Sequence, residues 1–526
     1  MGCLNFSWYD FKRQRVRYKQ AGRGGIGTVF ADKGLKAIVV RWDAGKLNEN
    51  NPAKPELLRE LTRQHTREIA ELDPKQNEMA KIGTTHLVTI MNDYGLIPIK
   101  NFQFGSHPDV PKLGAEAYRK MFDPGYDGCW VGCPMACAHG IKNFIPKTGP
   151  YKGKEVFVDG PEYETIGAWG SNLGIFDPHF VAEANFYCDA YGLDTISTGV
   201  SIGFAMECFE RGLINKTHTR CMDLRFGNWR VALELLHQMA RGRGFGVLVG
   251  QGVREMKRVF ANLYSADSNL LQDIGMESKG LELSLYRSGT SLGQQGGYGL
   301  TLKGAQHDEA WLIFEDAVRG NLPTFEDKAY ALWWFPLWRT WFGLMGLCKL
   351  PWNDIVPENN KENPQTPVTD PSARAKIPGH VKQYAQYVSA LLGEEYTVDD
   401  LLLMSEKVYN FQRIIALRLG YGRREHDALP YRAMGPVTVE EYESKAEYYD
   451  QQLTKKYGMN IVDKTISEKI VILRKFREAE YEQLKEAVYA RRGWTKDGIP
   501  TLATVKRLGI DFPEVVELLS RYGVTE

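Results

Sequence analysis

The chain has 526 residues, of which 43% are apolar and 25% are charged, so it is long enough to form several domains with a sizeable core. Its 66 lysines and arginines nearly balance its 65 aspartates and glutamates, which leaves no global field for nucleic acid or an anionic membrane surface. No apolar run reaches the roughly 18 residues that a membrane-spanning helix needs, and residues 1–10 lack a secretion signal. These features predict a cytoplasmic protein without a membrane or nucleic-acid partner.

The first 46 residues are predicted to form a small β-rich part. Short strands are predicted at Arg15–Lys19 and Ala37–Val40, on either side of the glycine-rich segment Ala21–Gly27, and a polar linker follows at Leu47–Pro52. Residues 22–27 fit the dinucleotide-binding pattern G-x-G-x-x-G, but the next strand follows after about ten residues, too few for a Rossmann crossover. Two interpretations stay open: Arg23 and the adjacent backbone meet a phosphate, or the segment is a plain tight turn.

Helical periodicity dominates from residue 55 onward. Helices are predicted at Pro55–Leu72, Pro178–Tyr191, Ile196–Arg211, Trp229–Arg241, Gln383–Leu392, Val398–Leu419 and Thr465–Arg492. Gly192 and Gly212 stand where a glycine would end a helix, and Asp194 and Thr195 stand where an N-cap would begin the next. Long loops are predicted at Phe102–Lys112, Phe144–Lys154, Ser288–Gly304 and Pro351–Pro378. The predicted fold class is mainly α and multi-domain, with a short β-rich N-terminal part.

Three of the eight cysteines, Cys129, Cys133 and Cys137, lie within nine residues. Such clustering in a large chain without a secretion signal favours metal binding over disulfides. Three close thiolates plus one remote thiolate suit a [4Fe-4S] cluster, because a short loop cannot surround all of its irons. The alternatives are a structural zinc site that includes His139 or a remote cysteine, a radical-SAM cluster, and three buried structural cysteines.

Several ordered segments together resemble the aldehyde:ferredoxin oxidoreductase family, whose members hold tungsten or molybdenum between two pyranopterins. The segments are Ala21–Gly25 with Leu35–Ile38, the cysteine cluster, Gly160–Thr165, Asp189–Thr195, Gly346–Cys348, Arg418–Arg432 and Gly493–Thr501. The family's usual cysteine spacing is C-x2-C-x3-C, so the step from Cys129 to Cys133 is one residue longer here. Residues 1–46 resemble only the end of the family's β-rich N-terminal domain, which implies a fragment or one half of a split subunit.

The resemblance implies two copies of the pterin-binding pattern D-x-x-G-L-D/C. The first copy comprises Asp189, Gly192, Leu193 and Asp194, with Thr195 beside it, and ordinary helix capping is the alternative. The second copy is Gly343–Cys348, in which Gly343 replaces the aspartate and Cys348 would be the fourth cluster ligand. The further residues that the resemblance places at the pterins are Arg23, Gly24, Gly25, Gly346, Leu347 and Lys349.

Glu164 and His307 align with the family's proton-handling pair, with Tyr163 and Thr195 near the substrate. For His307, an ordinary surface histidine is the alternative. The implied domains are 1–46, the remnant of the pterin-binding domain; 47–275, a helical domain with the cysteine cluster and first pterin pattern; and 276–526, a helical domain with the second pattern.

The implied activity is oxidation of an aldehyde to a carboxylic acid at a tungsten- or molybdenum-bis-pyranopterin, with magnesium bridging the pterin phosphates. Electrons would pass through a [4Fe-4S] cluster to ferredoxin or an iron-sulfur subunit, in a homodimer or hetero-oligomer. The alternatives are the active-site subunit of a tungsten benzoyl-CoA reductase, which acts on an aromatic CoA thioester, and a truncated iron-sulfur protein without catalytic activity.

Overall fold

The computed structural model of the chain describes residues 1–11, 14–41, 51–123, 128–129, 133–350 and 378–525. In these ranges the fold is mainly helical, as the sequence predicted. The strands form three antiparallel hairpins: β1 (Leu4–Asp10) with β2 (Arg15–Ala21), β3 (Gly140–Phe144) with β4 (Val156–Asp159), and β5 (Glu277–Ser278) with β6 (Leu281–Glu282).

The α-helices of the first half are Ile26–Asp32, Pro55–Gln76, Met79–Ile82, Leu87–Asp93, Ala115–Arg119, Tyr163–Trp169, Pro178–Tyr191, Thr195–Glu210, Trp229–Arg241, Gly246–Val249, Val253–Tyr264 and Ser268–Ile274. Those of the second half are Leu292–Gly299, Phe325–Met345, Pro378–Leu392, Val398–Arg418, Val439–Glu443, Ala446–Gln451, Ile466–Arg491, Leu502–Arg507 and Pro513–Arg521. Short 3₁₀ or π turns lie at Gly83–His86, Val110–Leu113, Ser171–Leu173, Ser288–Thr290, Phe314–Val318, Arg424–Asp427, Tyr431–Ala433 and Gln452–Lys456.

All seven predicted helices are present, and five of them begin after a side chain that caps the helix N-terminus. Pro178–Tyr191 has the predicted bounds because Asp177 caps its start and Gly192, at φ 66°, ends it. Trp229–Arg241 also has the predicted bounds, between an Asn228 cap and a left-handed Gly242. Strong periodicity between two capping residues therefore determines these helices locally.

The prediction of a strand at Ala37–Val40 is wrong. This segment has no paired partner in the described chain, and Ile38, Val39 and Val40 are largely exposed. A run of β-branched residues becomes a strand only when a neighbouring strand accepts its backbone hydrogen bonds. Such a partner is present for β2, because the unpredicted strand β1 pairs with it along its whole length.

The prediction of a loop over Ser288–Gly304 is also wrong in its centre, where Leu292–Gly299 is a buried helix. Its glycines allow neighbouring helices to approach closely. A Cβ at Gly296 would lie 2.2 Å from Leu332 Cδ1, and a Cβ at Gly299 would lie 1.7 Å from the Tyr481 hydroxyl oxygen. Glycine therefore serves close packing here, although it disfavours helices in isolation.

Two large hydrophobic clusters form the core. The first consists mostly of side chains between Leu87 and Ile313, and the second of side chains between Leu300 and Trp494. No helix in the described ranges is long and apolar enough to cross a membrane. The predicted linker at 47–52 and the predicted loop at 351–378 fall largely outside the described residues, as does the predicted boundary at residue 46. The boundary at residue 275 stays a prediction.

Candidate active site and cysteine cluster

A cavity of about 420 Å³ brings together side chains from several separate parts of the chain. The predicted residues that line it are Tyr163, Glu164, Thr195, His307 and Lys349. A volume of this size is typical of a small-molecule site. The fold therefore places the two predicted proton-handling residues and one residue from each predicted pterin-binding region around a single cavity.

Glu164 and His307 form the polar centre of this cavity. Glu164 lies in the first turn of helix Tyr163–Trp169, and its Oε2 accepts a hydrogen bond from the Leu285 N–H at 2.9 Å. Its Oε1 lies 3.1 Å from His307 Nδ1. Oε1 is buried and has no aligned hydrogen bond, so this short contact is a close approach of two titratable groups rather than a formed bond.

Burial moves the pKa values of these two groups in opposite directions, because each is more stable without charge. It raises the pKa of Glu164 to about 7, although the Leu285 N–H and the Arg23 guanidinium favour the carboxylate. It lowers the pKa of His307 to about 3, although the Asp308 carboxylate favours the imidazolium. At neutral pH the imidazole is therefore neutral and Glu164 is close to the midpoint of its titration, so Glu164 can accept or release a proton.

Ser284 determines which nitrogen of His307 carries the proton. Its Oγ accepts hydrogen bonds from the His307 backbone N–H at 3.2 Å and from Arg23 Nη1 at 3.1 Å. Because these bonds use its acceptor positions, we assign the hydroxyl hydrogen to His307 Nδ1, which lies 2.9 Å away. The neutral imidazole then carries its proton on Nε2.

Arg23 links the glycine-rich segment to this site. Its Nε donates to the Asp194 carboxylate at 3.2 Å, and its Nη2 donates to the Glu282 carbonyl. The guanidinium is thus paired with groups of the chain itself. Gly24 and Gly25, at φ 97° and 72°, have no heavy atom within 4 Å of a Cβ built on either, so their backbone is open to a close approach.

The first predicted pterin pattern joins helices Pro178–Tyr191 and Thr195–Glu210. The Asp194 carboxylate caps the second helix by accepting from the Ile196 N–H at 3.0 Å. The N-terminus of the chain covers this connection: the Cys3 N–H donates to the Gly192 carbonyl at 2.8 Å, and the Asp194 N–H donates to the Met1 carbonyl at 3.1 Å. These backbone groups are therefore already bonded within the chain.

Asp189, at the start of the same pattern, is held inside the protein. Its Oδ2 accepts from the Asn185 side chain at 3.2 Å, and the Gln20 side chain of β2 donates to its carbonyl at 3.1 Å. Burial and the neighbouring Asp159 carboxylate raise its pKa well above the usual value. Asp189 therefore holds its proton more tightly than an exposed aspartate.

Both copies of the pattern end a helix in the same way. In the first copy the bonds run from Gly192 N–H to Asp189 O at 3.2 Å and from Leu193 N–H to Cys188 O at 2.9 Å. In the second they run from Gly346 N–H to Gly343 O at 3.4 Å and from Leu347 N–H to Phe342 O at 3.0 Å. This bond pair is the Schellman motif, which requires a left-handed residue and favours glycine followed by an apolar residue. Helix capping thus explains the Gly-Leu step in each copy.

Lys349 follows the second copy and lines the cavity next to Cys348. Its ammonium group forms an ion pair with the Asp308 carboxylate, beside His307. A Cβ at Gly346 would meet no heavy atom within 4 Å, so the backbone there is accessible, unlike Gly192, where Asn5 lies 3.2 Å away. The second copy is therefore more open to a ligand than the first.

The four predicted cluster cysteines come from two distant parts of the chain. Cys133 is buried beside Ile69 and Met79, Cys137 is half-buried, and Cys129 and Cys348 are exposed. Burial raises the pKa of Cys137 well above its usual value, and negative charge on Glu162, Cys348, Cys133 and Cys129 raises it further. The three other thiols therefore lie within electrostatic reach of Cys137.

None of the eight cysteines forms a disulfide bond in the structure, so no disulfide competes for the proposed cluster ligands. Within the described ranges, which omit residues 130–132, no set of three or more His, Cys, Asp or Glu side chains has the arrangement of a metal site. His139, the alternative zinc ligand, stacks on Phe122 at 4.8 Å, and its Nε2 lies 3.3 Å from the Met79 carbonyl. His139 is thus engaged in packing on Phe122 and in a contact with the Met79 carbonyl.

The sequence interpretation missed several residues of the cavity. Tyr286 stacks on Tyr163 at 4.9 Å and meets His307 edge-on at 5.7 Å, while Trp311 and Arg339 complete the wall. Asp308 could have been inferred, because it directly follows the candidate histidine. Ser284 and Tyr286 carry no local pattern, and only the tertiary fold places them at the site.

The sequence model of aldehyde ferredoxin oxidoreductase, domains 2 and 3, matches residues 60–510. The chain therefore belongs to this family, and its class is that of the oxidoreductases. The tungsten-containing aldehyde ferredoxin oxidoreductase of Pyrococcus horikoshii is 28% identical over 512 residues, which cover 94% of this chain and 70% of that protein. The enzyme of the same name from Pyrococcus furiosus is 26% identical over 500 residues, with the same coverage.

A solved structure has a similar fold. It is the active site complex BamBC of benzoyl coenzyme A reductase with 1,5-dienoyl-CoA. The TM-score is 0.62 at 17% sequence identity, and the match covers 97% of this chain and 73% of that chain. This likeness confirms the helical architecture.

Proposed function

We propose that the chain oxidises an aldehyde to the carboxylic acid at a tungsten- or molybdenum-bis-pyranopterin and passes the electrons to a [4Fe-4S] cluster. The observation that carries this proposal is the close approach of Glu164 to His307 in a cavity that is also lined by Lys349, the residue after Cys348. The reaction requires a group that exchanges protons and a nearby electron acceptor, and the position of Lys349 supports a cluster held by Cys348 next to this cavity.

The cluster would be held by Cys129, Cys133, Cys137 and Cys348. The electrostatic coupling of Cys137 to the other three thiols supports this ligand set, as does the absence of any disulfide among the eight cysteines. Because Cys129 and Cys348 are exposed, one side of the proposed cluster would be accessible to another protein. That side suits an external electron acceptor, either ferredoxin or an iron-sulfur subunit.

The residues that would hold the pterins divide into two groups. Gly24, Gly25 and Gly346 offer open backbone, and Lys349, two residues after Leu347, offers a cation. This combination fits the phosphates of such a cofactor and a magnesium ion between them. At Gly192, Leu193, Asp194 and Thr195 the backbone is partly bonded to residues 1–3, so recognition there would depend on the carboxylates of Asp189 and Asp194, with Arg23 bridging to the active site.

When bound, the metal-pterin group supplies a two-electron acceptor and a Lewis acid. Aldehyde plus water gives carboxylic acid, two electrons and two protons, so the chain must remove protons. Glu164, with a pKa of about 7, accepts one from water in its ionised form. His307, neutral with its proton on Nε2, donates a hydrogen bond to the aldehyde oxygen, and the surrounding Tyr163, Tyr286 and Trp311 exclude bulk water.

Aldehyde oxidation by anaerobically purified protein, with a viologen dye as electron acceptor, tests this proposal. Glu164→Gln and His307→Asn are each expected to lower kcat by about 10²–10⁴-fold, the usual contribution of a general acid or base. Matched controls are Glu425→Gln and His426→Asn, which lie outside the cavity and should leave turnover unchanged.

Two outcomes would contradict the proposal. Full turnover in both cavity variants would remove Glu164 and His307 from the reaction. Failure to oxidise any aldehyde combined with reduction of an aromatic CoA thioester would assign the chain to benzoyl-CoA reductase chemistry instead.

A further inference from the structure

Three positively charged side chains meet in the interior behind the wall of the cavity. Arg287 and Arg477 are 2% and 6% exposed, and Lys445 is half-buried beside them. Burial, and then the charges of Arg287 and Arg477, lower the pKa of Lys445 to about 8. The lysine therefore lies within electrostatic reach of both guanidinium groups.

The recorded hydrogen bonds of these cations go to neutral oxygens. Arg477 Nη1 donates to the carbonyls of Gly289, at 2.6 Å, and Met434. Lys445 Nζ donates to the Gly95 carbonyl at 3.3 Å, and Arg287 Nη2 donates to the Tyr449 hydroxyl at 3.3 Å. Arg287 Nε is buried without any hydrogen-bond partner.

Nearby carboxylates are committed to other cations. Glu441 pairs with Arg432, Glu478 with Arg474, and Asp450 with Lys469. No carboxylate of a described residue forms an ion pair with Arg287, Arg477 or Lys445. The tyrosine rings packed on Arg477, with Tyr449 at 5.3 Å and Tyr448 at 5.8 Å, contribute only cation–π attraction.

An unfilled space lies next to the Arg287 guanidinium, at Gly289. A Cβ built on this buried glycine would have two heavy atoms within 4 Å outside its own chain neighbours, Arg287 Nη1 and the Met434 carbonyl oxygen, both at 3.9 Å. The space is therefore at least as large as a methyl group. The hydrogen-bond donor nearest to this space is Nη1 of Arg287, a buried cation whose Nε has no hydrogen-bond partner.

Buried charge without a counter-charge is costly, and proteins normally compensate it with an opposite charge and hydrogen bonds. We propose that the space at Gly289 binds one monatomic halide ion, chloride under ordinary ionic conditions. A chloride ion is about as large as a methyl group, so it fits a space of this size. It would accept hydrogen bonds from the Arg287 guanidinium and neutralise part of the charge of Arg477 and Lys445.

This site would support the active-site wall. Arg287 follows Tyr286, which lines the cavity, and Leu285, whose N–H holds Glu164. The Arg287 N–H donates to the Leu96 carbonyl at 2.7 Å, which ties the same segment to the first core cluster. A halide that anchors Arg287 therefore stabilises the backbone that positions Glu164.

Thermal unfolding of the full-length purified protein at constant ionic strength tests the proposal, with sodium gluconate exchanged for sodium chloride, bromide or sulfate. Chloride and bromide should raise Tm by a few degrees relative to gluconate, because an ion that binds the folded state stabilises it. Sulfate stabilises proteins generally through exclusion from their surface, so its effect should be the same in wild type and in Gly289→Ala. Crystals grown in bromide should show an anomalous peak beside Arg287 Nη1.

Gly289→Ala fills the space without altering any charge, and Gly289 has no left-handed backbone that alanine would strain. This variant should lose the halide-dependent rise in Tm. Lys445→Gln, which removes one cation of the cluster, should reduce the rise, while Lys455→Gln, on an exposed lysine, should retain it. An equal halide effect in Gly289→Ala and wild type, a sulfate effect that Gly289→Ala abolishes, or a bromide crystal without the peak would each overturn the proposal.

Discussion

At the scale of single residues, the proposed active site contains two side chains whose pKa values are shifted by burial. Glu164 and His307 lie 143 positions apart in the sequence and 3.1 Å apart in the structure. The family resemblance predicted both residues. The opposite shifts of their pKa values could not be predicted from sequence, because they arise from burial and from Ser284, Arg23 and Leu285, which the fold brings together.

The first prediction concerns the pH dependence of stability. Because the folded protein raises the pKa of Glu164 from its usual 4.5 to about 7, the folded state binds the proton more tightly. The stabilisation is complete below pH 4.5 and is lost as pH rises through 7. Glu164→Gln, which cannot ionise, should therefore gain stability relative to wild type by up to about 3 kcal/mol between pH 4.5 and pH 9.

Urea unfolding of both proteins across this pH range measures the difference. His307 titrates identically in both, so its opposite contribution cancels from the comparison. Glu425→Gln, at an exposed position, serves as the control and should show no such trend. A stability difference between Glu164→Gln and wild type that does not change with pH would contradict the shifted pKa.

A second prediction concerns Arg432, a fully buried cation that joins distant helices. It pairs with Glu207 and Glu441, both buried, and donates to the Asn101 carbonyl at 3.1 Å. Arg432→Met leaves the buried Glu441 carboxylate without a cation and Glu207 with Arg211 alone, and it should lower the free energy of unfolding by about 3–5 kcal/mol.

The control for this prediction is Arg424→Met, which removes a more exposed pair with Glu482 and should cost less than about 1 kcal/mol. Chemical denaturation distinguishes the two effects. Equal losses in both variants would show that burial does not determine the strength of these ion pairs.

At the scale of elements, the predicted helices were correct where capping residues flank a clear period. The errors came from context: Ala37–Val40 has no pairing strand, and Leu292–Gly299 uses its glycines to pack against other helices. Neither condition is visible in the local sequence. Helix capping was the alternative interpretation of the first D-x-x-G-L-D/C copy. The structure has the Schellman motif, a form of helix capping, in both copies.

The third prediction compares a glycine inside helix Phe325–Met345 with the glycine that ends this helix. Gly343 lies inside the helix with open space around it, so Gly343→Ala should stabilise the protein by about 0.5–1 kcal/mol. Gly346 has φ 64°, where a side chain is strained, so Gly346→Ala should destabilise it by about 1 kcal/mol. Thermal unfolding checks both; effects of the same sign would contradict the assigned helix end.

At the scale of the whole molecule, the cysteine group shows what a sequence can and cannot determine. Cys129, Cys133 and Cys137 lie within nine residues, so their clustering could be seen in the sequence itself. Cys348 and Cys137 lie 211 positions apart in the sequence, and their proximity was implied by the family resemblance alone. The halide site proposed at Gly289 has no sequence signal, because its three cations come from three separate segments.

The fourth prediction tests Cys348 as the remote cluster ligand. Cys348→Ser should abolish the electron paramagnetic resonance signal of the reduced [4Fe-4S] cluster or alter it strongly, since serine is a much poorer ligand for iron. Cys221→Ser, at an exposed cysteine outside the group, is the matched control and should leave the signal intact. An unchanged spectrum in Cys348→Ser would remove Cys348 from the ligand set.

The central claim is that the chain carries both an iron-sulfur cluster and a metal-pterin group. Metal analysis of anaerobically purified protein tests it most directly. We expect the protein to contain iron with an equal amount of acid-labile sulfide, together with tungsten or molybdenum, and no zinc. Zinc in place of iron would contradict the cluster assignment, and iron without tungsten or molybdenum would identify an iron-sulfur protein that lacks the proposed catalytic centre.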